Sequence, residues 1–437
     1  MNKGIVCYLE NIKEHPNADK LNLANASGFQ VIVSKDADAN TLGIFFNSNL
    51  CLSEEFCKAN NLYPIYEIDE NGNKIKVGGG FFSEKHSRVK VQNFRGEPSY
   101  GFWCELSYLD YLNLETLPKE GDEIDVINNH LICTKYINPH QLKKKNNNHF
   151  VSSINKNFPR WRDTEQLKYA INKKSDKYFQ GNIIITEKLH GTSGRFGFIK
   201  KNKPIKWYHR FLSFCNLQVG GVDWEFLNGT RKTILEDQGK QFYTDNSFRT
   251  NISEQVRPFM REGEIIYGEY VGKTNNGQEI QPTSSVEKLK PFVDKKSYKK
   301  YFNKFNTTGI AYNYGFNKTQ FFVYAIKQTL PNGDIIELSW EQVKIRCKEL
   351  GLEHVPEVWK QVVVDAVSEA YEFETVLEVL NDLEKWDAEN PEDTIKEGWV
   401  VRIENEYGIN YYKHKTFLFY ALEGVIKEEI GDIEDAI

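Results

Sequence analysis

No run of roughly 18 apolar residues occurs in this 437-residue sequence, so no membrane-spanning helix is expected. The first residues, Met1-Asn-Lys-Gly-Ile-Val6, lack the apolar stretch of a secretory signal. Seven cysteines are scattered with no Cys-x-x-Cys pair, which argues against structural zinc and against a disulfide framework. A reducing compartment follows, and a cytoplasmic location is the expectation. Positive charge is not in excess either. The net charge is −5, so any nucleic acid must be drawn in by local basic patches rather than by a global field. No internal repeat of fixed period is present.

Aromatic residues are plentiful, at 14% of the chain, which favours sheets with large apolar faces and platforms for base stacking. Residues 1–136 read as short strands broken by turns: Phe29-Gln-Val-Ile-Val33, Leu42-Gly-Ile-Phe-Phe46, Ser87-Arg-Val-Lys-Val91 and Tyr100-Gly-Phe-Trp-Cys104. Asn71-Gly72, Gly78-Gly79-Gly80 and Arg95-Gly96 punctuate them. A small barrel or sandwich fits, an OB-fold barrel among the options, with a purely structural β-domain as the alternative. Residues 137–157 are polar and read as a linker whose Lys143, Lys144 and Lys145 suit a solvated charge run. Residues 158–437 mix strands and helices, giving an α+β class overall. Ser339-Trp-Glu-Gln342 forms a capping box ahead of Val343, Cys347 and Leu350 on one face, with Gly351 as the stop. A second helix is expected from Tyr371 to Trp386.

The chemistry concentrates in five fragments. Thr186-Glu-Lys188-Leu-His190-Gly191 follows an apolar strand, so Lys188 sits at a strand end beside a glycine turn. Tyr267-Gly268-Glu269 places a carboxylate after a second apolar strand. Phe321-Phe-Val-Tyr-Ala-Ile326 is an aromatic strand. Glu397-Gly-Trp-Val400 leads a carboxylate into another. In Lys413-His-Lys415 the alternation puts both lysines on one strand face. Each fragment alone is commonly plain structure.

In this order they resemble the motifs of the covalent nucleotidyltransferases, the superfamily of polynucleotide ligases and RNA capping enzymes. The Lys-x-His-Gly form points toward RNA ligases, although some members carry Asp where this chain has His190. His15-Pro-Asn-Ala-Asp19, Val89-Lys-Val-Gln-Asn-Phe-Arg95-Gly96, Glu120-Gly-Asp-Glu123 with Thr134-Lys-Tyr136, and Phe158-Pro159 with Asp163-Thr-Glu165 resemble the Naegleria-type RNA ligases with an N-terminal OB module. The resemblance implies an OB-like β-barrel over 1–136 and an adenylyltransferase domain of ATP-grasp-like antiparallel sheets plus helices over 158–437. Only 22 residues follow Lys415, too few for the C-terminal OB domain of DNA ligases and capping enzymes.

The activity so implied is ATP-dependent RNA ligation. Lys188 takes AMP from ATP, passes it to an RNA 5′-phosphate, and a 3′-hydroxyl expels it, at nicks in a duplex. Glu269 and Glu397 are the candidates to hold Mg²⁺ or Mn²⁺. Lys413 and Lys415 would contact the α-phosphate, Phe321 would stack on adenine, and Glu187 would read its amino edge. His190, Gly191 and Arg210 complete the nucleotide contacts. The expected partner is RNA, with no membrane, and the expected state is a monomer. The stretch from Lys288 to Tyr301 interleaves lysines and aromatics and suits either RNA contact or a solvated helix; residues 273–318 as a whole carry no role readable from sequence. The alternatives are a DNA ligase or capping guanylyltransferase of the same superfamily, and a non-catalytic RNA-binding protein.

Overall fold

The computed structural model describes residues 3–68, 74–83, 87–136, 155–167, 170, 179, 181–201, 223–231, 233–235, 247–330, 332–361, 373–390, 394–423 and 426–427. Most of the proposed linker, with Lys143–Lys145, lies outside the described residues.

Alternating apolar residues in the first half build an antiparallel sheet. Its central strand, Gly4–Glu14, pairs with Leu42–Asn47 on one side and Leu21–Ala26 on the other. Gly101–Glu105 and Phe29–Ser34 lie outermost. The central strand carries a bulge between Glu10 and Lys13, with Asn11 at φ 52°, and this curls the sheet. Two bonds then bring the outermost strands together: Tyr100 N–H donates to the Gln30 carbonyl, and Ile32 N–H to Ser99 Oγ. The result is a nearly closed barrel. Val6, Ile44, Phe46, Phe56 and Phe102 fill one face, while Leu9, Phe29, Val31, Phe45 and Trp103 pack on the other. The expected strand over 87–91 forms differently. Ser87 has φ 34°, and residues 87–89 make only an isolated antiparallel bridge, Arg88 opposite Cys51, with Leu52 N–H donating to the Ser87 carbonyl and Val89 N–H to the Leu50 carbonyl; the regular strand runs over Val91–Phe94.

The remainder is built on two further sheets. One orders its strands Glu165–Gln166, Gly408–Lys415, Gly398–Asn405, Asn182–Glu187 and Glu357–Gln361. The other orders Trp224–Thr230, Thr192–Lys200, Glu264–Val271, Gln320–Thr329 and Ile335–Glu337. Ile184 of the first sheet shares a core with Phe196, Ile266, Tyr270 and Phe321 of the second. Helix Trp340–Leu350 closes that core with Trp340, Val343 and Cys347, and its Ser339–Gln342 capping box and left-handed Gly351 form as the sequence indicates. Helix Phe373–Glu389 packs Val376 and Leu380 on the far face of the first sheet against Ile183, Ile185 and Trp399.

The first half is not separate from this body. Val91 joins a core with Tyr301, Phe305, Tyr312, Leu418 and Phe419, and the Tyr100 ring meets Phe417 at 6.4 Å. Strand Ile426–Lys427 pairs in parallel with Val91–Phe94. No helix among the described residues is long and apolar enough to cross a membrane.

Candidate active site

A strand of three isoleucines, Ile183 to Ile185, is buried on both faces and ends at Glu187. The chain then crosses in a short turn, Lys188 to Gly191, and enters the second sheet at Thr192. Lys188 therefore stands at the junction of the two sheets. Backbone bonds fix the turn: Glu187 N–H donates to the Pro356 carbonyl at 2.8 Å and Lys188 N–H to the Gly398 carbonyl at 2.9 Å. Gly191 is needed here because a Cβ would collide with the Tyr270 carbonyl.

The second half of the chain brings its charged groups to the same point. Lys188 Nζ lies 2.8 Å from Glu397 Oε1, and Lys415 Nζ lies 3.0 Å from the same oxygen. His190 Nδ1 is 3.3 Å from the other carboxylate oxygen. Glu397 is buried, and burial alone would raise its pKa. Lys188, then Lys415 and the His190 bond outweigh burial and hold the carboxyl well below its usual range. Burial opposes the charge on Lys415 too, yet Glu397 and Glu423 hold its amine above the usual lysine range.

Glu269 completes the cluster from the second sheet. It accepts from Ser193 Oγ at 2.8 Å, its cross-strand neighbour. Burial pushes its carboxyl up to about 7, against the pull of Lys188 and the Ser193 bond. Lys413 projects on the same strand face as Lys415, and burial followed by the charges of Lys415 and Lys188 lowers its amine to about 8. Both lysines line a cavity of about 80 Å³ that is walled on the other side by Asn47, Ser48 and Asn49 of the barrel.

One sequence-derived position resolves otherwise. Phe321 faces the core rather than the site: it is 3% exposed and packs on Tyr270 at 4.5 Å and Phe196 at 5.3 Å between ring centres. The physical reason is strand phase. Phe321 pairs with Tyr270, whereas Phe322 pairs with Glu269 and shares its face. Glu187 is 3.3 Å from Lys396 Nζ, so its carboxylate is engaged by a lysine from the neighbouring strand's approach. Arg210 lies outside the described residues. The segment 273–318 acquires a place: Tyr314 Oη accepts from His190 N–H at 2.8 Å, Tyr312 packs edge-on to the His190 ring, and Gln281 donates to the Gly191 carbonyl. Phe419 also packs edge-on to that ring at 4.9 Å, beside Tyr312. Arg249 braces the start of the second sheet, donating to the Ser193 carbonyl at 3.0 Å and to Thr192 Oγ1 at 2.8 Å. Ser193 was accessible from sequence, since it stands two residues beyond Gly191 on an extended strand. Tyr312, Tyr314 and Arg249 carried no local signal.

Gly398 couples backbone to site. Its φ is 143°, and a Cβ would strike the His414 carbonyl between the two lysines of the neighbouring strand. Gly398→Ala is expected to lower unfolding stability by about 1–3 kcal/mol, read from the denaturant midpoint, and to slow any reaction that uses Glu397.

An arrangement of one amine on a turn, a buried ionised carboxylate and flanking lysines suits nucleophilic attack at a phosphoryl group. No curated protein matches the chain. Among solved structures, a glutamate-to-alanine variant of Naegleria gruberi RNA ligase with ATP and Mn superposes with a TM-score of 0.56 at 12% identity, over 96% of this chain and 98% of that one. A lysine-to-alanine variant of the same ligase, also with ATP and Mn, gives 0.56 at 13% identity over 96% and 98%. A lysine-to-methionine variant with AMP and Mn gives 0.53 at 13% over the same shares. At such identity the likeness is one of fold. The RNA ligase family pattern matches residues 181–417, more than half of the sequence and the whole span from Lys188 to Lys415, and the chain belongs to the RNA ligase family.

Proposed function

We propose that this protein is an ATP-dependent RNA ligase that works through AMP carried on Lys188. The observation that supports it most directly is the Lys188–Glu397–Lys415 contact at the sheet junction. Neutral Lys188 Nζ attacks the α-phosphorus of ATP, an N–P bond forms, and pyrophosphate leaves. The oxygen of an RNA 5′-phosphate then takes the AMP and frees the amine. Finally a 3′-hydroxyl attacks the activated 5′-phosphorus, the phosphodiester forms, and AMP leaves.

Lys415 and Lys413 supply positive charge against the phosphate oxygens. The solved relatives with ATP and Mn direct attention to a divalent cation, and the donors here suit one: Glu397 is a buried carboxylate held ionised by its lysine neighbours, and Glu269 is a second buried carboxyl, pushed up to about 7, that a bound cation would hold ionised. A cation bound there would supply positive charge that disfavours the proton on Lys188 and offsets charge at the α-phosphate. Glu397 itself is too acidic to serve as the base, so its part is to hold and orient the amine until the proton leaves to solvent. Phe322 and Tyr324 face the same side as Glu269, and Phe322 is the ring we assign to adenine. Residues 1–136 are read as an OB-like barrel, 137–157 as a linker and 158–437 as the nucleotidyltransferase domain.

Incubating the protein with labelled ATP or GTP and a divalent metal, followed by sealing of nicked duplexes with RNA or DNA on each side, tests the proposal. Covalent AMP and sealing of RNA nicks are expected. Covalent GMP would point to capping chemistry, and sealing confined to DNA would overturn the RNA assignment.

Lys413 gives the reaction a pH signature. Its charge is present below about 8 and is lost as pH rises through that value. The KM for ATP in adenylation is expected to climb above that point, while Lys413→Arg, whose side chain stays charged, keeps it flat to about pH 9.5. A wild-type KM that stays flat over the same range contradicts phosphate contact by Lys413.

A further inference from the structure

Helix Lys295–Phe305 carries lysine at positions 295, 296, 299, 300 and 304, and no acidic residue occurs from Lys295 to Asn306 in a chain whose net charge is −5. Asp294 caps its first turn, accepting from Lys296 and Ser297 N–H. Tyr301 and Phe305 anchor the helix, since both are buried with Tyr312 and Phe419. Those last two rings pack edge-on to His190, two residues from Lys188, so the helix stands one layer of side chains from the Lys188 turn. Lys300 donates to the Glu389 carbonyl and is tied to the neighbouring helix.

The opposite face is open. Lys295, Lys296, Lys299 and Phe302 are exposed, and among the described residues no ion pair engages Lys295, Lys296 or Lys299. Lys295, Lys299 and Phe302 recur at helical spacing and share one stripe with Tyr298, whose ring packs near Phe302 at 5.8 Å. Successive lysines on it are separated by about one turn, ~5.4 Å of rise. A solvated face needs no pair of aromatic rings between its charges, whereas a polynucleotide surface uses both, cations for phosphates and rings for sugar or base.

We propose that the Lys295–Lys296–Lys299 face, with Tyr298 and Phe302, binds the phosphate backbone of the RNA duplex flanking the nick and delivers its ends to the Lys188 turn. The proposal rests on the ligase reading above and names a substrate surface that reading leaves open. Charge complementarity selects the occupant, because the face is cationic on an acidic protein and its one adjoining carboxylate, Asp294, is engaged in capping the first turn.

The test is direct binding of a nicked RNA duplex to the full chain across a salt series, with adenylation measured in parallel. Lys295→Ala/Lys296→Ala/Lys299→Ala is expected to weaken binding at least about tenfold at 0.15 M salt and to reduce the slope of log K against log salt by roughly 2–3, about 0.9 for each phosphate no longer neutralised. Lys188 adenylation should be unchanged. Arginine at the same three positions should restore both affinity and slope. Unchanged affinity and slope in the alanine variant overturns the proposal, as does failure of the arginine variant to restore them. Because binding is read without sealing, a wild-type protein that binds the duplex in this manner but never joins it counts against the ligase reading and not against the helix.

Discussion

Lys188→Ala is expected to form no covalent AMP at all. The proposed N–P bond forms on the Lys188 amine, and no other amine of the cluster stands on that turn. Lys415 cannot stand in, because it shares Glu397 Oε1 and is held charged there, above the usual lysine range, by Glu397 and Glu423. The variant should remain folded, since Lys188 is partly exposed and its backbone bond to Gly398 does not use the side chain. It should also still join an RNA nick whose 5′-end already carries AMP, because that last step needs no nucleophilic lysine. The measurement is labelled AMP retained on denatured protein, with the pre-adenylated nick as control. Retention of label at the wild-type level would remove Lys188 from the chemistry.

Glu397→Ala has the second largest expected effect, and it acts through two channels. The carboxylate pairs with Lys188 and Lys415 at 2.8 and 3.0 Å and meets the His190 ring nitrogen at 3.3 Å, so removing it leaves two ammonium groups crowded at one spot. Breaking a buried pair from one side costs about 3–5 kcal/mol. It also removes the group that orients the amine and the strongest candidate ligand for a cation, and a loss of about 10²–10⁴-fold in the adenylation rate is expected. Glu397→Gln separates the channels. It keeps the shape and part of the hydrogen bonding, so stability should largely return while the rate stays low. A Gln variant that adenylates at the wild-type rate would show that the negative charge is not needed.

Much of this site was legible because its parts sit at strand ends. At Lys188 an apolar run stops, the lysine follows and a glycine permits the turn; Glu397 stands just before its strand and Lys415 at the end of its own, and the fold brings the three into contact. Phe321 shows where that pattern runs out. Two phenylalanines stand side by side, and only the strand phase separates core from site. The phase was in fact written nearby, since Phe321, Val323 and Ala325 are purely apolar while Gln320, Phe322 and Tyr324 alternate with polar atoms among them. The ion pair of Glu187 was unreadable for another reason. Its partner Lys396 lies 209 positions away in sequence, and no local pattern announces a contact that long. The same holds for Tyr312 and Tyr314, which look like ordinary loop residues until the chain folds them over His190.

The pairing of Ile426–Lys427 with Val91–Phe94 has a mechanical consequence. Lys415 and Ile426 are joined by one short helix, Phe417–Leu422, whose Phe419 also covers His190. Any swing of the barrel away from the body therefore tugs on the segment that carries Lys415, and cannot occur without unzipping that two-residue ladder. Opening at that seam is expected to loosen the segment that carries Lys415, so amide exchange at Val91 and at Lys415 should slow or quicken together.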